Sequence, residues 1–152
     1  MALSSLQAEF NNLLHSMFDE NILDEQFTQV RSLQDETNPN FTAQVINSFC
    51  LDARKVIIKL NKQFNAPDVE FSVLEPSVHQ LKGSSSCIGA RRLKVACTEL
   101  QQVFDVKDKQ GCLQSLNKII HEYRILEGKL HTLIQLEKRI LAIQTNKQQP
   151  DI

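Results

Sequence analysis

The chain has 152 residues, 41% of them apolar and 23% charged, and a net charge of -1. That length closes a hydrophobic core without disulfides or metals, so one domain over residues 1–145 is expected, with a frayed tail at 146–152. The near-neutral balance lacks the basic stripe that releases counterions from a phosphate backbone, so nucleic acid is not an expected partner.

No apolar run exceeds four residues, far short of a bilayer span, and "MALSSLQAEFNN" has neither a basic nor an apolar leader region. A cytosolic chain with no direct membrane binding is the expectation. Cys50, Cys87, Cys97 and Cys112 are too widely spaced for a metal knuckle, and they read as free, buried or half-buried thiols.

Only four glycines and four prolines occur, and no window alternates as a half-buried strand does, so an all-α fold is expected. From Ser5, the apolar residues Leu6, Phe10, Leu13, Leu14 and Met17 recur at helical spacing up to Asp19 and Glu20. A short helix fits Asp24 to Gln34, with Phe27, Val30 and Leu33 on one side. "DETNPN" then marks a turn, with Asn38 held out of the helical region by Pro39 and Asn40 placed to cap the next helix.

Phe41, Val45, Phe49, Val56, Leu60 and Phe64 give the inward stripe of a long helix ending at "NAPD". Beyond Pro67, the segment Val69 to Phe104 reads as helical through its serine run, with Pro76 either fixing a helix start near Glu75 or interrupting a helix that begins a turn earlier; the first-turn placement is the favoured one. A last long helix begins near Lys109 and buries Leu113, Leu116, Ile120, Tyr123, Leu130, Ile134 and Ile140. Two short helices and three long ones with brief connections pack as an up-and-down bundle.

On a helical wheel of 3.6 residues per turn, Leu74, Val78, Leu81 and Ile88 gather on one side. His79, Lys82, Gly83, Ser86 and Ala90 gather on the other. Lys82 and Gly83 are therefore the two residues beside His79 on its own surface. An exposed imidazole is partly neutral, and so nucleophilic, near cellular pH. A phosphoryl group placed on it would bring negative charge that the Lys82 ammonium can bind. A mid-helix glycine is disfavoured by about 1 kcal/mol relative to alanine, and Gly83 here suggests close approach by a partner. The simpler alternative is a surface histidine beside a lysine, with the small residues serving helix packing.

The string "VHQLKGSSSCIGARRLK", residues 78–94, resembles the signature of the plant histidine-containing phosphotransfer proteins, the small helical carriers of the cytokinin two-component relay. A looser likeness runs through "NPNFTAQVINSFCLDARKVI" and "CLQSLNKIIHEYRILEGKLHTLIQLEKRI". The resemblance implies a four-helix bundle with extra N-terminal helices. It also implies that His79 is phosphorylated, that Lys82 steadies the phosphoryl group, and that Gly83 lets a receiver domain approach. Gln80, Ser86 and Ala90 would border the docking face. Cys87 stands where the family usually continues its serine run, and Pro76 stands where a freer helix former is usual.

Implied partners are the receiver domains of hybrid sensor histidine kinases and of response regulators, met by a monomer in cytoplasm and nucleus. No nucleotide loop or catalytic triad is visible, so the chain is expected to be a phosphocarrier, not an enzyme. It would hold no cofactor or metal of its own, Mg²⁺ coming from the receiver. Some family members lack the histidine, and a helical adaptor that competes for receivers is the alternative function. A cysteine-based redox sensor is a third reading, disfavoured by the absence of an adjacent cysteine pair. His15, His121 and His131 lack the Lys-Gly neighbourhood and read as surface or packing residues. "GARRLK" reads as a solvated basic face that attracts acidic partners. Leu23 and Phe27 are expected to add exposed apolar contacts from the N-terminal helices.

Overall fold

In the computed structural model, which describes residues 2–106 and 108–148, six helices follow one another. They are α1 (Ala2–Asp19), α2 (Glu25–Ser32), α3 (Phe41–Phe64), α4 (Phe71–Ile88), α5 (Arg91–Val106) and α6 (Lys109–Gln148). No strand occurs among the described residues, as the missing alternation predicts. Helices α3, α4, α5 and α6 close a ring of contacts, each packed on the next and α6 back on α3. Short connections make successive members antiparallel, so the ring is an up-and-down four-helix bundle.

The 40 residues of α6 extend about 60 Å, well beyond its bundle partners. Helix α1 packs against α6, while α2 lies across α3 and α4. Arg31 of α2 sits over the Phe10 ring of α1, 4.9 Å from its centroid. Gln34 bridges to α6 and α3, its amide donating to Glu137 at 3.1 Å and its carbonyl accepting from the Thr42 amide at 2.9 Å.

The inward stripes are as expected for Leu6, Phe10 and Met17 in α1, and for Phe49, Val56, Leu60 and Phe64 in α3. In α6, Leu116, Tyr123, Leu130 and Ile134 are buried and Leu113, Ile120 and Ile140 pack at the core's edge. Cys112, Ile119, Leu126, Leu133 and Leu136 complete the α6 face.

Several expectations require correction. The segment 69–104 is two helices, because Gly89 adopts a left-handed conformation with φ of 85° and ends α4. The Gly89 and Ala90 amides both donate to the Ser85 carbonyl, at 3.0 and 2.8 Å, the glycine-terminated helix end in which the last carbonyls are satisfied. Helix α4 starts at Phe71, so the favoured first-turn placement of Pro76 gives way to the alternative of a helix beginning a turn earlier, with Pro76 in its second turn. Its missing N–H faces the carbonyl of Ser72, and both residues are exposed, where water can serve.

Asn40 occupies the cap position of α3 without a side-chain hydrogen bond; Asp24 instead caps α2, accepting from the Gln26 amide at 3.0 Å. Leu33 is exposed, whereas Leu23 and Phe27 are buried. Cys97 and Cys112 are buried and Cys50 half-buried as expected, but Cys87 is exposed. Helix α6 continues through residues 146–148 of the expected tail, and the remainder of that tail lies outside the described residues.

Candidate functional site

Helix α4 carries Leu74, Val78, Leu81 and Ile88 into the core, and this inward anchoring turns His79 and Gln80 out to solvent. One turn on, Gly83 also faces outward, and a Cβ built there would meet nothing within 4 Å. Beside the imidazole there is open space in which another surface can approach the α4 backbone.

The serines divide their work by direction. Ser77 and Ser85 point into the bundle and are buried, where small side chains let neighbouring helices come close. The Ser85 hydroxyl donates to the Leu81 carbonyl at 2.7 Å, and the half-buried Ser84 hydroxyl reaches the same oxygen at 3.1 Å. Their polar groups are thus satisfied inside the helix. Ser86, half-buried, stays on the outer side with Gly83, and exposed Cys87 follows one turn beyond Gly83.

Lys82 leans toward α5, where its ammonium donates to the Gln101 carbonyl oxygen at 3.2 Å. The side chain is half-buried, so its stem lies along the α4–α5 seam, on the residue one turn beyond His79. Cys97 lies in the core of α5. Burial pushes its thiol up to about 12, with the positive charge of Lys82 pulling the other way. That thiol is enclosed in the core, and what the surface offers for chemistry is an exposed imidazole with a lysine on the next turn.

Ala90 does not belong to this surface. It follows the left-handed Gly89 and is buried at 1% exposure, because the chain turns inward there. The Arg91 amide donates to the Ile22 carbonyl at 3.1 Å, and the Asp24 amide to the Gly89 carbonyl at 2.9 Å, clipping this corner to the α1–α2 connection. Leu23 and Phe27 are the core side of that clip and offer no exposed contact.

The basic string after Gly89 is also divided. Arg92 grips the buried Glu122 of α6, at 2.7 Å from Nε and 2.9 Å from a terminal nitrogen, while Arg91 is exposed and Lys94 half-buried. His15, His121 and His131 are exposed on other helices. No cluster of three or more metal-ligating side chains occurs among the described residues, and no helix among them is long and apolar enough to cross a membrane. A hollow of about 870 Å³ lies elsewhere, between the 34–39 connection and the C-terminal part of α6. The histidine therefore sits on an open helix face rather than in that pocket.

A family model for the Hpt domain matches residues 44–145, which include the whole of α4. The chain is also 39% identical to histidine-containing phosphotransfer protein 5 of Arabidopsis thaliana, over all of this chain and 98% of that one. The chain belongs to the plant histidine-containing phosphotransfer family.

Within that family, the chain is also 41% identical to pseudo histidine-containing phosphotransfer protein 6 of Arabidopsis thaliana, over 93% of this chain and 94% of that one. The crystal structure of a maize histidine-containing phosphotransfer protein superposes with a TM-score of 0.85 at 39% identity, covering 89% of this chain and 99% of that one. As a family member, the chain is a phosphorelay intermediate by kinship, and its six helices are the family's helical bundle.

One site neighbour was not legible in the sequence. Gln101 touches Lys82 only because α5 folds back beside α4, and in "TELQQVF" nothing distinguishes Gln101 from exposed Gln102. The sole signal is that Gln101 falls next to core residue Leu100, at the edge of the buried face of α5.

Proposed function

We propose that His79 accepts a phosphoryl group from the receiver aspartate of a hybrid sensor histidine kinase and passes it to the aspartate of a response regulator, in cytokinin signalling. The observation that carries this reading is the grouping on α4 of an outward imidazole, a cation held one turn away, and open space over Gly83. In the forward step, a lone pair on an imidazole nitrogen forms the N–P bond. The acyl-phosphate P–O bond breaks, and its electron pair returns to the donor carboxylate. Lys82 offsets the charge arriving on the ring by charge-assisted hydrogen bonding. Gln80 and Ser86 border the docking surface.

The carrier needs no cofactor of its own, because the receiver supplies Mg²⁺ and the acid-base groups for in-line transfer. It acts as a monomer without catalytic turnover, moving between cytoplasm and nucleus to link a membrane kinase with nuclear regulators.

The 41% identity to a pseudo phosphotransfer protein favours weighing a second reading, an adaptor that occupies receivers without taking phosphate. Incubation with a receiver domain radiolabelled on its aspartate separates the two. Acid-labile label on the wild type and none on His79→Gln is the expected result. Receiver binding without label on either protein would contradict the carrier and support the adaptor.

A further inference from the structure

We infer that the outer face of α6, centred on Gly128, is a docking surface for an acidic helix of another protein, which binds there while the His79 face is occupied. The inference does not depend on the carrier reading.

Helix α6 sorts its charges by direction. Its three carboxylates, Glu122, Glu127 and Glu137, turn toward neighbouring helices. Glu122 is buried against Arg92, Glu127 pairs with Arg54 at 2.7 Å, and Glu137 accepts from the Gln34 amide at 3.1 Å. At 3.6 residues per turn, His121, Arg124, His131 and Arg139 fall within about 60° of Gly128, with Lys138 at their edge, whereas the carboxylates lie about 100° or more away. These five side chains and Gly128 are all exposed. Arg124, Lys138 and Arg139 take part in no ion pair among the described residues. A chain with a net charge of -1 thus presents, from residue 121 to 139, a helix face about 27 Å long that bears no carboxylate.

Unpaired guanidinium and ammonium groups are complemented by carboxylates, which arginine holds through two parallel hydrogen bonds. A second helix suits the straight ridge, since its own side chains three and four apart stand about 5–6 Å from each other along one surface. Gly128 lies at the middle of the face, with nothing within 4 Å of a Cβ built there. No contact within the chain requires that glycine, and a helix crossing at this point can bring its backbone close. Duplex DNA carries one charge per about 1.7 Å, far denser than the cations spread along this ridge. No large apolar side chain of α6 is exposed among the described residues to enter a bilayer. In the ring of four, α4 and α6 are diagonal, each packed on α3 and α5 and neither on the other. The α6 face therefore points away from His79, and its occupant leaves room for a receiver.

The test is an amide NMR titration of the full chain with an alanine-based helical peptide bearing glutamates at i and i+4 along one face. Its glutamine counterpart, a DNA duplex and phosphatidylserine vesicles form separate arms. The glutamate peptide is expected to shift amides of residues 121–139 and none of α4, with binding that weakens as salt is raised, and the glutamine peptide is expected to shift none. Arg124→Gln combined with Arg139→Gln should weaken binding about tenfold, the scale of two surface ion pairs. Gly128→Leu should weaken it with a thermal midpoint no lower than that of the wild type. Lys59→Gln combined with Lys62→Gln, at exposed positions of α3 and with the same change in net charge, should bind as the wild type does. Receiver affinity should be equal with and without saturating peptide. Absence of shifts on α6, an equal loss in the α3 variant, or competition between peptide and receiver would overturn the proposal. Tighter binding of the duplex or the vesicles through the same residues would overturn the assignment to an acidic helix.

Discussion

At the residue scale, Gly83 separates two demands that usually run together. Its position in mid-helix lowers stability, and nothing packs where its side chain would be, so no contact within the chain requires the missing Cβ, and the proposed docking of a receiver beside His79 supplies a reason for it. Gly83→Ala is expected to raise the stability of the bundle by up to about 1 kcal/mol, read as a higher thermal midpoint, while weakening receiver binding in titration. Gly128 is the matched control: it is also helical with open space at its Cβ, and Gly128→Ala should stabilise similarly without affecting binding. Receiver affinity unchanged in Gly83→Ala would remove the docking explanation. His79 and Gly83 were legible in the sequence because both depend directly on the phase of one helix. Ala90 was misplaced because that phase was carried two residues past the helix end, and Gln101 was missed because its place beside core residue Leu100 shows only that it borders the buried face of α5, not which helix it meets.

At the element scale, the boundary between α4 and α5 fixes where the site ends. Apolar periodicity continues on both sides of "IGA", so the sequence pattern reads as one helix; only the backbone of Gly89 shows the break. A Cβ added to Gly89 would lie 2.5 Å from the Phe27 backbone nitrogen, on a residue with φ of 85°. Gly89→Ala is expected to lose about 1–2 kcal/mol from the left-handed backbone alone, with the contact against α2 adding to it. A denaturant midpoint equal to wild type would contradict this account of the corner. Pro76 marks another limit of reading by pattern: the rule placing proline in a first turn is a preference, and the apolar anchors Phe71 and Leu74 start the helix earlier.

At the scale of the whole molecule, burial links stability to pH on the alkaline side. Burial pushes the thiol of Cys97 from 9.0 up to about 12 and that of Cys50 from 9.0 up to about 11. Burial likewise raises the Tyr123 phenol, whose oxygen lies within hydrogen-bond reach of the Cys50 carbonyl and of Glu127. Glu127 also pairs with Arg54 at 2.7 Å, so this cluster ties α3 to α6. A raised folded-state pKa means that the folded chain keeps protons the unfolded chain has already released. Stability is then fully present below about pH 9 and falls as pH rises toward 12. Urea midpoints measured from pH 8 to 11 are expected to fall above pH 9, with a shallower slope in Cys97→Ala. A midpoint flat across that range would contradict the burial of these groups. The bundle itself was legible, because helical periodicity reports which face each helix buries; the tie between α3 and α6 was not, because its partners are 73 residues apart.

The proposed carrier holds its phosphoryl group on the His79 ring, and a phosphorus–proton correlation NMR spectrum of the chain after transfer from a phosphorylated receiver reads that bond. Correlation to the ring protons of His79 alone, lost in His79→Gln, is the predicted result. Correlation to His15, His121 or His131, or no nitrogen-bound phosphorus at all, would contradict it.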